Sequence, residues 1–467
     1  MAEVATYPSM VDSGVAWIGP TPAHWSIVRL KHAVRRIVGG STPASGEATY
    51  WDGDVTWITP TDMSNVERLS TSSRKITRSG LASCSAVVVP AGSLILSTRA
   101  PIGNVALADV ELCTNQGCKA LVPSDVLHPE FALRMFQVLK AELQSLGTGT
   151  TFDELSTAAL GGLPIPVPPR TEQNAIVRFV DHADRRIRHA IRAKQTLIAL
   201  LNEQKQAVIH RAVTRGLDPN VRLKPSGVPL LGDVPEHWDV RPAKYFFREV
   251  DERSESGTEE LLSVSHLAGV TPRRERNVTM FMASSYVGQK TCRPGDLVIN
   301  TMWAWMGALG VAGQRGIVSS AYGVYRPVKN SELIGEYAEL LLRTTPYLGE
   351  YICRSTGIRS SRLRLYPDEF LAIKLISPPP AEQRAILEAT AGSRATSAAG
   401  ISRAEREIDL LREYRTRLIA HVVTGKLDVR EAAARLPDEV DEPELLDDLD
   451  FEEADEPEID DLEPVEA

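Results

Sequence analysis

The chain has 467 residues, 43% of them apolar and 24% charged, with a formal net charge of −9, a balance that suits a globular protein of more than one domain. No apolar run approaches the roughly 18 residues that a membrane-crossing helix needs, and the amino terminus lacks a basic-then-apolar leader, so a reduced, cytoplasmic protein is expected. Five cysteines without a Cys-x-x-Cys pair, Cys113 and Cys118 being the closest two, support neither a disulfide framework nor a zinc site.

The first segment carries Ser13-Gly14-Val15-x-x-x-Gly19-x-x-Pro22-x-His24-Trp25, which returns as Ser226-Gly227-Val228-x-x-x-Gly232-x-x-Pro235-x-His237-Trp238. Residues 26–165 follow, rich in Gly, Pro, Thr and Val, with short apolar runs such as Ala86-Val87-Val88-Val89 and Leu94-Ile95-Leu96 that read as strands joined by turns. Pro168-Pro169-x-x-Glu172-Gln173 then opens a helical pattern and returns as Pro378-Pro379-x-x-Glu382-Gln383. Proline suits the start of a helix, and a carboxylate favours the positive end of its dipole. Self-similarity of this length means two copies of a whole domain-plus-connector unit, not a solenoid of small repeats.

After each Pro-Pro step an apolar stripe repeats with the same spacing: Ile191, Ile198, Leu201, Val208 and Ala212, then Ile401, Ile408, Leu411, Leu418 and Val422. Such spacing puts the stripe on one side of a long helix. From Glu172 to Thr214 a continuous helix would reach roughly 60 Å, and two such helices bury their stripes most simply against each other. Glycine ends both, at Val213-Thr214-Arg215-Gly216-Leu217-Asp218 and Val423-Thr424-Gly425-Lys426-Leu427-Asp428. Residues 239–375 share a faint skeleton with the first head, Pro294-Gly295-x-Leu297-Val298-Ile299-x-Thr301 answering Pro90-x-Gly92-x-Leu94-Ile95-Leu96-x-Thr98, and otherwise align only in fragments.

The end of the chain reverses the sign of the charge. Residues 437–467 hold 17 Asp or Glu and no Lys or Arg, so 44 of the 61 acidic residues face all 52 basic ones before that point, a net +8. The body is basic and the tail hides it. A tail so charged and so poor in aromatics is expected to be disordered, either a solubilising extension or a mobile anion that competes with a polyanionic ligand for the basic surface or docks on a partner subunit.

These features resemble the specificity subunits of Type I restriction-modification systems. The most telling stretches are Gly39-Gly40-Ser41-Thr42-Pro43, then Tyr50-Trp51-x-Gly53-Asp54-Val55-x-Trp57-Ile58-Thr59-Pro60-x-Asp62, and the two Pro-Pro-x-x-Glu-Gln helix starts. The resemblance reaches to about residue 428 and does not include the tail. It implies an α+β architecture: two mixed α/β target-recognition domains separated by two long helices that form an antiparallel coiled coil, with an internal pseudo-two-fold repeat. The expected boundaries are 1–167 and 218–377 for the recognition domains, 168–217 and 378–429 for the spacer helices, and 430–467 for the acidic tail. The resemblance further implies that each domain reads one half of a bipartite double-stranded DNA target while the helices set the gap. Two copies of a modification subunit, bringing S-adenosylmethionine, and motor-nuclease restriction subunits would be separate partner chains. Half-sites are expected on the order of one helical turn apart.

No catalytic signature accompanies the repeat. A phosphate-binding glycine loop, His-Glu-x-x-His and Asn-Pro-Pro-aromatic are all missing, and Pro367-Asp368 followed by Lys374 lacks the second element of a nuclease carboxylate cluster. The expectation is a non-catalytic recognition subunit with no cofactor of its own.

Base reading needs side chains that reach base edges, with Arg suited to guanine and Asn or Gln to adenine. In the first head the candidates are Ser97, Thr98, Arg99, Asn104, Asn115, Gln116 and Lys119. In the second they are Thr301, Trp303 and Trp305 in the loop Asn300-Thr301-Met302-Trp303-Ala304-Trp305, followed by Ser319, Ser320 and Tyr322. The tryptophans either stack on bases or cap a core edge. Arg354, Arg359, Arg362 and Arg364 surround Thr356-Gly357 as a phosphate-gripping cluster, with Arg359 or Arg362 able to reach a base; Thr148-Gly149-Thr150-Thr151 is the uncharged counterpart. Ten Lys or Arg against four carboxylates between Arg170 and Arg215 make the first helix basic, a pattern typical of a solvated face, with direct DNA contact by the helix as the alternative. His24-Trp25 and His237-Trp238 are assigned to packing where the chain enters each head. The competing readings are a protein-binding scaffold with two heads and the specificity subunit of a methylation-only system.

Overall fold

A computed structural model describes residues 5–64, 66–147, 154–228, 230–275, 285–357 and 363–437. They form two units, one of residues 5–194 and 405–437, the other of residues 195–404. Each contains one head and one half of each long helix.

In the first unit a five-stranded sheet runs in the order Val34–Gly39, Cys118–Pro123, Leu94–Ser97, Val105–Ala108, Arg68–Leu69, antiparallel except for the last pair. Its central strands are apolar at nearly every position because both faces are covered. Leu94, Leu96, Val105, Leu107 and Leu121 face a core shared with helix Pro129–Val138 and with Leu418, Val422 and Val423 of the second long helix. The alternating residues Ile95, Ala106, Ala108, Cys118, Ala120 and Val122 pack against Ile58, Met63, Val89 and Leu112. A separate sheet joins Cys113–Thr114, Trp51–Ile58 and Lys75–Ile76, and there Trp51 and Trp57 meet edge to face at 5.3 Å.

The second unit repeats the plan on a diverged sequence. Strands Phe247–Glu249, Gly323–Pro327, Leu297–Ile299 and Leu309–Val311 form an antiparallel sheet in the same order as the first four strands above. Leu297, Ile299, Leu309 and Tyr325 face the larger core, while Val298 and Val324 face the smaller one. The aligned skeleton is therefore the central strand of each sheet, and the fragments around it hide a common topology.

Each head is closed at its base by a pair of strands from its two ends: Ser26–Arg29 with Pro164–Val167, and Asp239–Pro242 with Lys374–Ser377. The chain thus enters and leaves each head at one place, next to a helix start.

The long helices span Arg170–Arg215 and Pro380–Val423. Within the first unit Lys194 pairs with Glu407, and Arg415 with Asp184, so the segments run antiparallel. Within the second, a Cβ built on Gly216 would stand 2.9 Å from Glu382 Oε1 and one on Gly400 3.1 Å from Leu201 Cδ1, the same antiparallel sense. Among the described residues no helix is long and apolar enough to cross a membrane.

The tail begins later than its expected boundary at residue 430. Arg430–Ala434 is a short helix, and Val429 and Ala433 are buried in the first core. The boundary at 430 followed the expected end of the spacer helix, whereas the run of acidic residues without Lys or Arg starts only at residue 437. Residues 438–467 lie outside the described residues.

Candidate functional site

The repeated words of the sequence meet at the two helix starts. Glu172 Oε1 accepts a hydrogen bond from Trp25 Nε1 at 3.0 Å and another from the Tyr7 hydroxyl, and His24 Nε2 lies 2.8 Å from Oε2. Glu382 accepts from Trp238 Nε1 at 3.1 Å, with His237 Nε2 at 2.8 Å. The glutamates sit in the first helical turn, where the dipole favours them, and also hold the segment that leads into each head.

The neighbouring glutamines match atom for atom. Gln173 donates to Val126 O and Pro168 O, both at 2.8 Å, and accepts from His128 N at 2.7 Å. Gln383 donates to Glu332 O and Pro378 O at 3.0 and 2.7 Å and accepts from Ile334 N at 2.8 Å. Both are fully buried with the whole amide satisfied. Sequence reasoning found the repeat but assigned these glutamines no role.

At the far end of the first head's central strand, the seven candidates come together. Ser97 is buried, donates to Pro101 O at 2.6 Å and accepts from Asn104 N at 2.9 Å. Thr98 is buried and donates to Gly117 O at 3.3 Å. Asn115 Oδ1 accepts from Gly117 N, Asn104 Oδ1 accepts from Lys140 Nζ, and exposed Gln116 accepts from Thr42. Lys119 is 6% exposed, with Nζ 3.5 Å from Thr98 Oγ1 and 3.6 Å from Glu154 Oε1. Arg99 projects outward, but its Nε and Nη2 lie 3.0 and 2.9 Å from Glu154 Oε2. Most of the hydrogen-bonding capacity singled out in the sequence thus shapes the loops in the free protein. Glu154 was not foreseen, since nothing in the local pattern links it to a residue 55 positions away.

The second head holds its candidates similarly. Thr301 is buried and donates to Ala321 O at 2.8 Å; Ser320 N donates to Gln289 Oε1 at 2.6 Å; the Tyr322 hydroxyl accepts from Asn300 Nδ2 at 3.1 Å. Lys290, also missed, is buried and donates to Tyr322 O at 2.9 Å. Trp303 and Trp305 stack on each other, centroids 5.6 Å apart and planes inclined by 29°, and Trp305 Nε1 donates to Met302 O. Both rings are half-buried, between the core-capping and base-stacking expectations. Arg354 is paired with Glu350 and Glu369 instead of standing free for phosphate. Arg359, Arg362 and Thr148-Gly149-Thr150-Thr151 lie outside the described residues. Pro367 opens a short helix, Pro367–Ala372, and Lys374 lies on the strand that follows.

One ionic cluster has no foreshadowing in the sequence. Buried Arg134 meets Glu67 and Asp181, each at 3.0 Å, and Asp184 meets Arg188 and Arg415. A loop of the first head, its helix and both long helices therefore share one network. Burial pushes Glu67 upward, but Arg134 and Arg188 outweigh it and hold the carboxyl below its ordinary range. Burial is likewise outweighed at Asp184, by Arg415 and Arg188, whereas at Asp181 it wins and raises the pKa.

Residues 22–197 match the profile of the Type I restriction modification DNA specificity domain. The chain resembles that family over this region. It is 36% identical over 171 residues to the MjaIX Type I restriction enzyme specificity subunit of Methanocaldococcus jannaschii, covering 36% of this chain and 39% of that protein. It is 28% identical over 156 residues to a Type I restriction enzyme specificity subunit of Escherichia coli, covering 31% and 38%. The match thus spans about two-fifths of these curated relatives. A solved structure from work on assembly and conformational transition of the Type I restriction-modification system superposes with a TM-score of 0.65 at 18% identity, over 87% of this chain and 99% of that one. At that identity the likeness is one of fold, and it extends over both heads and both helices.

Proposed function

We propose that the chain is the DNA sequence-recognition subunit of a Type I restriction-modification enzyme. The observation that carries this reading is the duplicated framework. Two heads of one topology, each closed beside a helix start by the same Glu-Gln pair, carry different loops at equivalent places. A shared scaffold with dissimilar loops suits a reader of two different half-sites, phosphate contacts setting register and side chains at the loops setting sequence.

The net +8 of residues 1–436 supplies the attraction to phosphate. The chain itself is non-catalytic in this reading. Methylation, with its S-adenosylmethionine, belongs to two copies of a modification subunit, and cleavage belongs to motor-nuclease subunits. The near two-fold repeat suits two identical partners.

The test is co-expression with the neighbouring methyltransferase gene and mapping of methylated adenines across the host genome. Two short specific halves around a fixed unspecified gap are the expected result. A soluble, active complex that methylates no such motif would overturn the proposal.

A further inference from the structure

Leu155 N donates to Thr98 O at 2.9 Å, and Leu365 N donates to Thr301 O at the same distance. Thr98 and Thr301 each follow the central strand of their sheet, and each hydroxyl donates to the carbonyl just before the return of the chain, Gly117 O or Ala321 O. Glu154 and Arg364, one residue before these leucines, therefore occupy the same place in the two heads with opposite charge. The fit extends to the next position: Arg99 follows Thr98, where Met302 follows Thr301.

In the first head the Glu154 carboxylate fixes the half-exposed Arg99 fork and lies beside the buried Lys119 ammonium. A lysine is seldom so buried without a counter-charge, so Glu154 is held from both sides. Arg99 and Glu154 remain 44% and 39% exposed, on the outer side of the loop cluster. In the second head Arg364 is half-buried, and no ion pair involving it occurs among the described residues. Its backbone is tied to Thr356 by hydrogen bonds of 3.1 and 3.0 Å, and its guanidinium makes no hydrogen bond to a side chain among the described residues.

We infer that positions 154 and 364 are equivalent specificity-determining positions, Glu154 acting as a positioning residue for Arg99 in the first head and Arg364 reading directly in the second. This rests on the proposed function. An arginine fork matches guanine O6 and N7, and its planar geometry makes orientation decisive. A carboxylate bonded to it fixes that plane and offers an acceptor to cytosine N4. The first head thus presents donors and an acceptor where the second presents donors alone. A carboxylate on a surface that meets phosphate is otherwise unfavourable, and its bond to Arg99 accounts for its presence.

The experiment is adenine methylome mapping of the complete complex with wild-type, Glu154→Gln, Glu154→Asp and Arg364→Ala subunits. Glu154→Gln is expected to lower base discrimination at one position of one half-site by on the order of tenfold and leave the other half unchanged. Glu154→Asp restores the wild-type choice, and Arg364→Ala relaxes a position in the opposite half only. An unchanged motif in both Glu154→Gln and Arg364→Ala overturns the inference while leaving the two-reader proposal intact. Uniformly reduced methylation with no change of motif also overturns it, since that is the mark of a structural role. Failure of the wild-type complex to yield any split motif would remove the proposed function and this inference together.

Discussion

Trp25 donates its indole proton to Glu172 at 3.0 Å across 147 residues of sequence, and this bond has a counterpart at 3.1 Å between Trp238 and Glu382, 144 residues apart. Each joins the start of a head to the start of the helix that leaves it. Glu172 is the more deeply enclosed, its side chain 4% exposed against 27% for Glu382, and it also serves Tyr7.

Glu172→Ala leaves the Trp25 and Tyr7 donors without their acceptor and is expected to destabilise the first unit by about 3 kcal/mol, at roughly 1–3 kcal/mol for each buried group left unpaired. Glu382→Ala should cost less, about 1–2 kcal/mol on the same scale, because one buried donor is lost at a more open site. Urea denaturation midpoints measure both. Equal losses would show that exposure at the two junctions does not matter.

Gly425 and Gly14 both adopt left-handed backbone, at φ 76° and 69°. A Cβ on Gly14 meets nothing within 4 Å, whereas one on Gly425 would lie 2.3 Å from Pro22 Cδ and 3.0 Å from the Trp25 ring. Gly14→Ala is therefore expected to cost about 1 kcal/mol of backbone strain, and Gly425→Ala about 3 kcal/mol or more once the overlap with Pro22 is added. Thermal unfolding of the two variants checks the order.

The cluster of Glu67, Arg134, Asp184 and Arg415 makes the first unit acid-sensitive. The carboxyls of Glu67 and Asp184 are lower in the folded state than their ordinary values. Their contribution is present above the ordinary carboxylate range and is lost as pH falls through the lowered values. Asp181, raised by burial, offsets part of this. Asp184→Asn should lower stability near neutral pH and flatten the acid limb of the stability profile, measured by denaturation between neutral and strongly acidic pH. An unaltered acid limb would count against the cluster.

Arg99→Ala is expected to relax the choice of base at one position of the target and cost roughly 1–3 kcal/mol of discrimination. The methylome of the complex reads this directly. An unchanged motif would show that the Arg99–Glu154 pair serves the loop alone.

Deleting residues 437–467 turns the formal net charge from −9 to +8. If the tail competes with DNA for the basic body, the truncated complex should bind DNA more tightly at low salt, with the difference shrinking as salt rises. Identical salt dependence would leave the tail a solubilising extension.

The sequence by itself determined the duplication, the helix starts at Pro168-Pro169 and Pro378-Pro379, the glycine stops and the central strand of each sheet. These are written in local signals: repeat spacing, an apolar stripe at helical period, and the positions where Pro and Gly alone suit the backbone. Only the tertiary structure decided which polar groups meet. Arg99 finds Glu154, Glu67 finds Arg415 across 348 residues, and Gln173 and Gln383 close the head bases on backbone carbonyls. Ser97, Thr98 and Lys119 looked like surface readers because their types are polar, yet they are buried. A hydrogen bond leaves no periodicity in the chain, so its partner becomes visible only when packing brings distant residues within about 3 Å.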